Sequence, residues 1–224
     1  RFEFVITADV DGELFESNGN DTAETNNVAS LTVASAPDLV VQNLVVSPGS
    51  IGAGGTVTAT WEDRNLGLSA TPTSWNDRLT VRNLDTGETL VDIALPYNIA
   101  ANGNGPLAPA TSLTRSHAFK LPEGLRGTGR IQVTVQADQS TSGATSFAEY
   151  DSNGVRADNN NAAAIEFTAA ARAYANLGVV SVSAPLTGRG GDSITVDWLV
   201  RNTGAAEAGG GWIDRIVLSN DNVI

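Results

Sequence analysis

Carboxylates are the residues of this chain best able to do chemistry, and they come in clusters. Asp9, Asp11, Glu13, Glu16, Asp21 and Glu24, followed by Asn26 and Asn27, crowd a segment that holds almost no positive charge. Hard oxygen ligands at that density suit calcium, which takes roughly six to eight of them and tolerates flexible geometry. Asp9-x-Asp11-Gly12 opens like an EF-hand loop, but Leu14 stands where that loop needs its glycine, so the segment is not an EF-hand. A second set follows at Asp138, Glu149, Asp151, Asn153 and Asp158. The expected metal ligands are therefore Asp9, Asp11, Glu16 and Glu24, then Asp138, Glu149, Asp151 and Asp158. The competing reading is a solvated loop. In it Asn26-Asn27 and Asn160-Asn161 bond backbone groups and organise the turn into a strand.

Other site chemistry is thin. His117 is the single histidine, and it shares strand parity with Leu113, Phe119 and Leu121, which implies a partly buried structural place. A nucleophilic triad would need it beside an activated serine, and the chain has no Gly-x-Ser-x-Gly elbow. Cysteine is absent, which excludes disulfides and thiolate metal sites. Paired carboxylates for glycoside hydrolysis would have to come from turn-like tails, where wet groups resist a raised pKa. No catalytic or cofactor-binding residue is expected, and the chain reads as a non-enzyme. Tyr97, Tyr150 and Tyr174 fall in loop-like or junction segments and could offer rings to a sugar.

The acid clusters recur because the chain repeats. Pro48, Gly54, Thr58, Trp61, Arg64, Asn65, Gly67, Trp75, Asp77, Arg78 and Asn83 find their equals 137 positions later, from Pro185 to Asn220, without a gap. Phe2, Phe4, Ile6, Ala8 and Asp9 likewise align with Ile131, Val133, Val135, Ala137 and Asp138. Fixed-period self-similarity marks a tandem array. Residues 1–35 are expected to be the last strands of one unit, 36–173 a complete unit, and 174–224 the first strands of a third. Neither end segment is long enough to bury a core, so each needs strands from elsewhere. Head-to-tail self-association through the two incomplete ends is one expected source.

The elements that position these residues read as all-β. Short alternating runs are broken by Gly, Asn, Asp, Ser and Pro clusters, with strands near 39–47, 55–64, 75–83, 89–95, 112–121, 129–138 and 162–169. Seven strands in one unit match a two-sheet immunoglobulin-like sandwich. Val57, Ala59 and Trp61 share one face, as their copies Ile194, Val196 and Trp198 do, so the tryptophan belongs in the core. The cysteines that flank such a tryptophan in antibody domains are missing, so that core is expected to hold by packing alone. In Asp77-Arg78 the neighbours point to opposite faces, and each should find its partner across the sheet.

The repeat resembles the CARDB family, the cell-adhesion-related domain found in bacteria. The resemblance rests on Asp38-Leu39-Val40-Val41, on Gly54-Gly55 before the Trp61 strand, on Arg64-Asn65-Leu66-Gly67 and on Trp75-x-Asp77. It extends to Ala137-Asp138 and to the Asn-Asn ending, clearest at Glu24-Thr25-Asn26-Asn27. The middle unit departs from the pattern in an enlarged loop from Gln139 to Gly154 and in Asp158 where Glu is expected. Such a resemblance implies immunoglobulin-like repeats of extracellular or cell-surface bacterial proteins, with adhesive or spacer roles. Partners would then be neighbouring repeats and a surface protein or polysaccharide. A formal net charge of -12, with Lys120 the only lysine, argues against nucleic acid or an anionic membrane as partner. No apolar stretch approaches the roughly 18 residues of a membrane span. The lack of cysteine and methionine suits an internal stretch of a large secreted protein. The expected function is an extender or adhesive stalk, stiffened by calcium. The alternative is an accessory or glycan-binding domain of a secreted polysaccharide-processing enzyme.

Overall fold

A computed structural model describes residues 2–33 and 35–219. Ala34 of the first junction and Asn220, the expected copy of Asn83, lie outside the described residues. Among the described residues twelve strands follow in chain order. β1 (Phe2–Thr7) and β2 (Val28–Val33) form a hairpin, with Phe2 opposite Val33 and Ile6 opposite Ala29. The sandwich then contains β3 (Leu39–Ser47), β4 (Ile51–Gly52), β5 (Thr56–Asn65), β6 (Trp75–Asn83) and β7 (Thr89–Tyr97). It is completed by β8 (Ser112–Lys120), β9 (Gly129–Gln136) and β10 (Ala162–Ala170). A separate compact unit, residues 172–224, holds the hairpin of β11 (Leu177–Ser183) and β12 (Asp197–Asn202).

The sandwich has a three-stranded sheet, β3-β5-β8, and a five-stranded sheet, β4-β10-β9-β6-β7. All pairings are antiparallel except that of β10 with β4. Period-two alternation decides which side of each strand is buried. Val57, Ala59 and Trp61 of β5 face Leu79 and Val81 of β6 and Ile131, Val133 and Val135 of β9, all of them buried. This is the expected all-β, immunoglobulin-like sandwich, and Trp61 is 1% exposed. The alanine-rich run at 162–170 is strand, paired along β9 so that Ile165 meets Val133 and Phe167 meets Ile131. The short β4 escapes a reading from periodicity, because two residues carry no period.

Turn chemistry explains the β6–β7 hairpin. Asn83 Oδ1 accepts the N–H groups of Asp85 (2.9 Å) and Thr86 (3.2 Å), and Gly87 sits at φ 75°. That left-handed backbone costs glycine little and most other residues more. In the last unit the third expected strand is not formed among the described residues, since 211–219 has no regular pairing.

Positions buried in the sandwich stand open in the two hairpins. Phe2, Phe4 and Ile6 are 57–71% exposed, whereas their equivalents Ile131, Val133 and Val135 are at 0%. Trp198 is 41% exposed against 1% for Trp61. It keeps the same bond nonetheless: Trp198 Nε1 donates to Asp214 Oδ2 at 2.8 Å, as Trp61 Nε1 donates to Asp77 Oδ2 at 3.0 Å.

Candidate functional site

The second acid set lies where the chain enters the sandwich. Asp138 follows β9 at φ 47°, and its two carboxylate oxygens accept the N–H groups of Ser146 (2.7 Å) and Phe147 (3.2 Å). Asp9 follows β1 at φ 45° and accepts Glu13 N–H (2.8 Å) and Leu14 N–H (3.1 Å) in the same way. Each aspartate thus folds the succeeding loop back over itself, which aspartate does well because its short carboxylate reaches nearby amides. The next acids pair alike: Glu149 N–H donates to Asp158 Oδ1 (3.2 Å), and Glu16 N–H to Glu24 Oε1 (2.8 Å). The enlarged loop is accommodated between Asp138 and Ser146, so the pattern survives the insertion.

Glu149 makes the arrangement a clasp. Its Oε2 accepts Leu39 N–H at 3.1 Å, at the first residue of β3, and Tyr150 N–H donates to Pro37 O at 3.1 Å. Asn160 Nδ2 donates to Asp38 Oδ1 at 2.9 Å. From the other side Asn65 Oδ1 takes the N–H groups of Asp38 (3.1 Å) and Gly67 (3.0 Å), while its amide donates to Ser69 O and Leu107 O. Gly67 is required there, because a Cβ would collide with backbone atoms of Ala36, Pro37 and Asp38. Asn202 and Gly204 hold Asn176 identically in the last unit, with N–H bonds of 2.9 Å from Asn176 and Gly204. The Arg-Asn-x-Gly motif is therefore a lock on the incoming strand.

Glu149 is fully buried. Burial pushes its carboxyl up to about 8, against the pull of Asn161 and Leu39 N–H and with the help of negative Asp138 and Asp158. Burial raises Asp138 as well, against its bonds from Ser146 and Phe147. Asp151 stands apart in its own turn, taking Asn153 N–H (2.9 Å) and Val155 N–H (2.8 Å), which lowers its pKa. Among the described residues none donates a hydrogen bond to Asp11, and Asp158 pairs with Arg156. Among the described residues no three acidic side chains converge as a ready metal cage.

A second polar group was not expected at all, and it corrects the picture of a core held by packing alone. Asp63 and Asp77 are both at 0% exposure between the sheets. Trp61 Nε1 donates to Asp63 Oδ1 (3.1 Å) and Asp77 Oδ2 (3.0 Å), and Trp75 Nε1 to Asp77 Oδ1 (3.2 Å). Arg115 reaches in from β8, with Nη1 2.9 Å from Asp77 and 3.8 Å from Asp63, and its Nη2 donates to Leu95 O at 2.9 Å. The five side chains come from three strands, β5 and β8 of one sheet and β6 of the other, so the cluster ties the two sheets together. Arg78, next to Asp77, pairs outward with Asp92 at 2.8 Å, the opposite-face geometry expected of adjacent residues.

Burial raises Asp63 well above the usual carboxylate range, reinforced by Asp77 and opposed by Arg115. Asp77 is also raised by burial, against Arg115 and its hydrogen bonds. Asp63 thus keeps the proton, and Asp77 is the partner of Arg115. A folded-state pKa above the unfolded value of about 3.9 means the folded form holds its proton more tightly. The contribution is then full below about pH 4 and declines as pH rises through the folded pKa. Asp63→Asn removes that decline, so its stability relative to the parent is expected to grow between pH 4 and neutrality. Urea midpoints across that range check it, and parallel profiles for the two proteins would refute it.

No family model matches the sequence, and no curated protein does. Among solved structures, the crystal structure of the CARDB domain of a Pyrococcus furiosus protein, in complex with di-metal ions, aligns at 15% identity. It has a TM-score of 0.39 and covers 63% of this chain and 100% of that one. The solution structure of that domain aligns at 16% identity and TM-score 0.37, over 62% and 100% of the two chains. The middle unit has the sandwich that a CARDB-like repeat implies. A Pseudomonas fluorescens alkylpurine DNA glycosylase bound to DNA also aligns, at 15% identity and TM-score 0.33, over 60% of this chain and 31% of the enzyme. Likenesses at these scores carry no argument about chemistry.

Proposed function

We propose that the chain is a non-catalytic tandem extender in an extracellular or cell-surface bacterial protein. The observation that carries this reading is where the chain enters and leaves the sandwich. It enters at Leu39, opposite Asn65, at the end that holds the 139–161 loop. It leaves at Ala170, beside Gly52, beyond the turn that closes β3. Because β10 runs parallel to β4, entry and exit lie at opposite ends of the strands. Nine-residue strands at about 3.3 Å per residue put roughly 30 Å between them. Each unit therefore adds length, and the Glu149 and Asn65 clasps fix the direction of entry. The open faces of β1–β2 and β11–β12 are, on this reading, where further strands of their own or neighbouring sandwiches pack. The buried and solvated acids serve backbone amides and ion pairs, which leaves the acidic surface to keep such a row dispersed.

The glycan-binding alternative has less support. Tyr97 packs on Trp75 with ring centroids 4.4 Å apart, and its hydroxyl donates to Gly105 O at 3.1 Å. Arg156 covers the ring of Tyr150 at 5.7 Å. Neither ring offers a free stacking platform. Among the described residues no helix is long and apolar enough to cross a membrane.

Solution scattering tests the extender. A four-copy tandem of residues 36–173 would have a radius of gyration of about 24 Å if it collapsed into a compact body. An end-to-end row is expected to give about twice that value, with the maximum dimension growing linearly as units are added. A value near the compact limit would refute the stalk.

A further inference from the structure

Two buried oxygen atoms at the entry end have no hydrogen-bond donor: Glu149 Oε1 and Asn161 Oδ1. Their residues are 0% and 2% exposed, and Asp138 beside them is 1% exposed. Leaving such acceptors bare inside a protein costs free energy, and leaving a carboxylate bare costs more. Both belong to one structure. Ala137 N–H donates to Asn161 O (3.0 Å), Asn161 Nδ2 returns to Ala137 O (3.3 Å), and Asp138 Oδ2 accepts Phe147 N–H (3.2 Å). Asp138 and Asp158 both bear on Glu149 through their charge.

The geometry points to a site for one hard divalent cation, calcium by its ligand chemistry, bound by Glu149 Oε1, Asn161 Oδ1 and Asp138. Asp158 pairs with Arg156, which leaves Asp138 and Glu149 as the acids of the site. Burial favours the protonated form of Glu149, and a divalent cation would take the place of that proton. Each Asp138 oxygen takes one amide and keeps a further lone pair, since an ionised carboxylate offers about four acceptor positions. Two carboxylates, an amide oxygen and water form the mixed oxygen shell that calcium accepts. Only two acids take part, in keeping with the absence of a three-acid cage among the described residues. Glu149 holds the ion through one oxygen and Leu39 N–H through the other, so the cation would brace the entering strand.

This site rests on the clasp that the extender reading uses, but the two can fail separately. Scattering reads the row, whereas the site is read by calcium titration calorimetry and melting of the 224-residue chain after chelation. The parent is expected to show binding heat and a melting temperature that rises with millimolar calcium, because an ion bound only by the folded form stabilises it. Glu149→Gln is expected to abolish both. Asn161→Asp, which adds a carboxylate and keeps the shape, is expected to enlarge the calcium-dependent rise. It is the deciding variant should Glu149→Gln fail to fold. Asp151→Asn, whose carboxylate serves its own turn, should behave as the parent. The site is refuted if the parent shows neither heat nor a melting shift, if Glu149→Gln folds and keeps both, or if Asn161→Asp leaves the shift unchanged.

Discussion

Replacing Arg115 by leucine is expected to cost the middle unit about 3–5 kcal/mol, the usual loss when one partner of a buried ion pair is removed. Among the described residues Arg115 is the only cation paired with the two acids at 0% exposure, Asp63 and Asp77. Without it Asp77 keeps the indole N–H bonds from Trp61 and Trp75 but loses its counter-charge. Asp77 would then have to take up a proton or draw in water. Loss of the bonds to Leu95 O and Pro96 O also frees β7 carbonyls, so the two sheets lose a tether on that side. The cost should shrink when the charges go together. Asp77→Asn in the Arg115→Leu background is expected to recover much of the loss, since no uncompensated charge then stays buried. A double-mutant cycle in urea measures the coupling. Additive losses would mean that the three side chains do not act as one group.

That cluster was visible in the sequence pattern, though not as a cluster. Asp63 continues the inward parity of Val57, Ala59 and Trp61, and Asp77 continues that of Leu79 and Val81. Arg115 shares the parity of Leu113 and Phe119. Alternation placed all three on the core side, but acids near strand ends usually escape to water, so parity alone does not predict burial. What keeps them in is non-local. Arg115 is opposite Trp61 in register and donates to carbonyls of β7 in the other sheet, and no local pattern specifies that meeting. Strand positions were legible because each follows from its own alternation. The 162–170 strand was legible because its copy at Leu31 and Val33 is β-type where alanine is ambiguous. The acid-rich tails were legible as composition, whereas their geometry was not. Asp9 and Asp138 turn out to be loop folders, Asp151 a turn former, and Glu149 the anchor of a strand that begins 110 residues earlier in the chain. Only the fold brings Glu149 to Leu39.

Trp61→Ala is expected to destabilise the middle unit at the upper end of the roughly 3–5 kcal/mol typical of emptying a tryptophan site. Two losses combine. The ring fills the centre of the sandwich at 1% exposure, and the β-sheets on either side cannot collapse onto an alanine without breaking register. Its indole N–H is also the donor that satisfies Asp63 Oδ1 and shares Asp77 Oδ2. A buried carboxyl oxygen stripped of its donor adds about 1–3 kcal/mol. Trp61→Phe separates the terms, since it keeps most of the ring volume and deletes the N–H. It should fall between the parent and alanine, with its deficit reduced when Asp63→Asn is added. Trp198→Ala supplies the comparison from the last unit, where the same indole-to-aspartate bond sits on a ring that is 41% exposed. Less apolar area leaves water there, so its cost is expected to be well below that of Trp61→Ala. Urea unfolding followed by far-ultraviolet circular dichroism gives the midpoints. Near-parent stability for Trp61→Ala would mean that the sandwich does not depend on the tryptophan its repeat places at the centre.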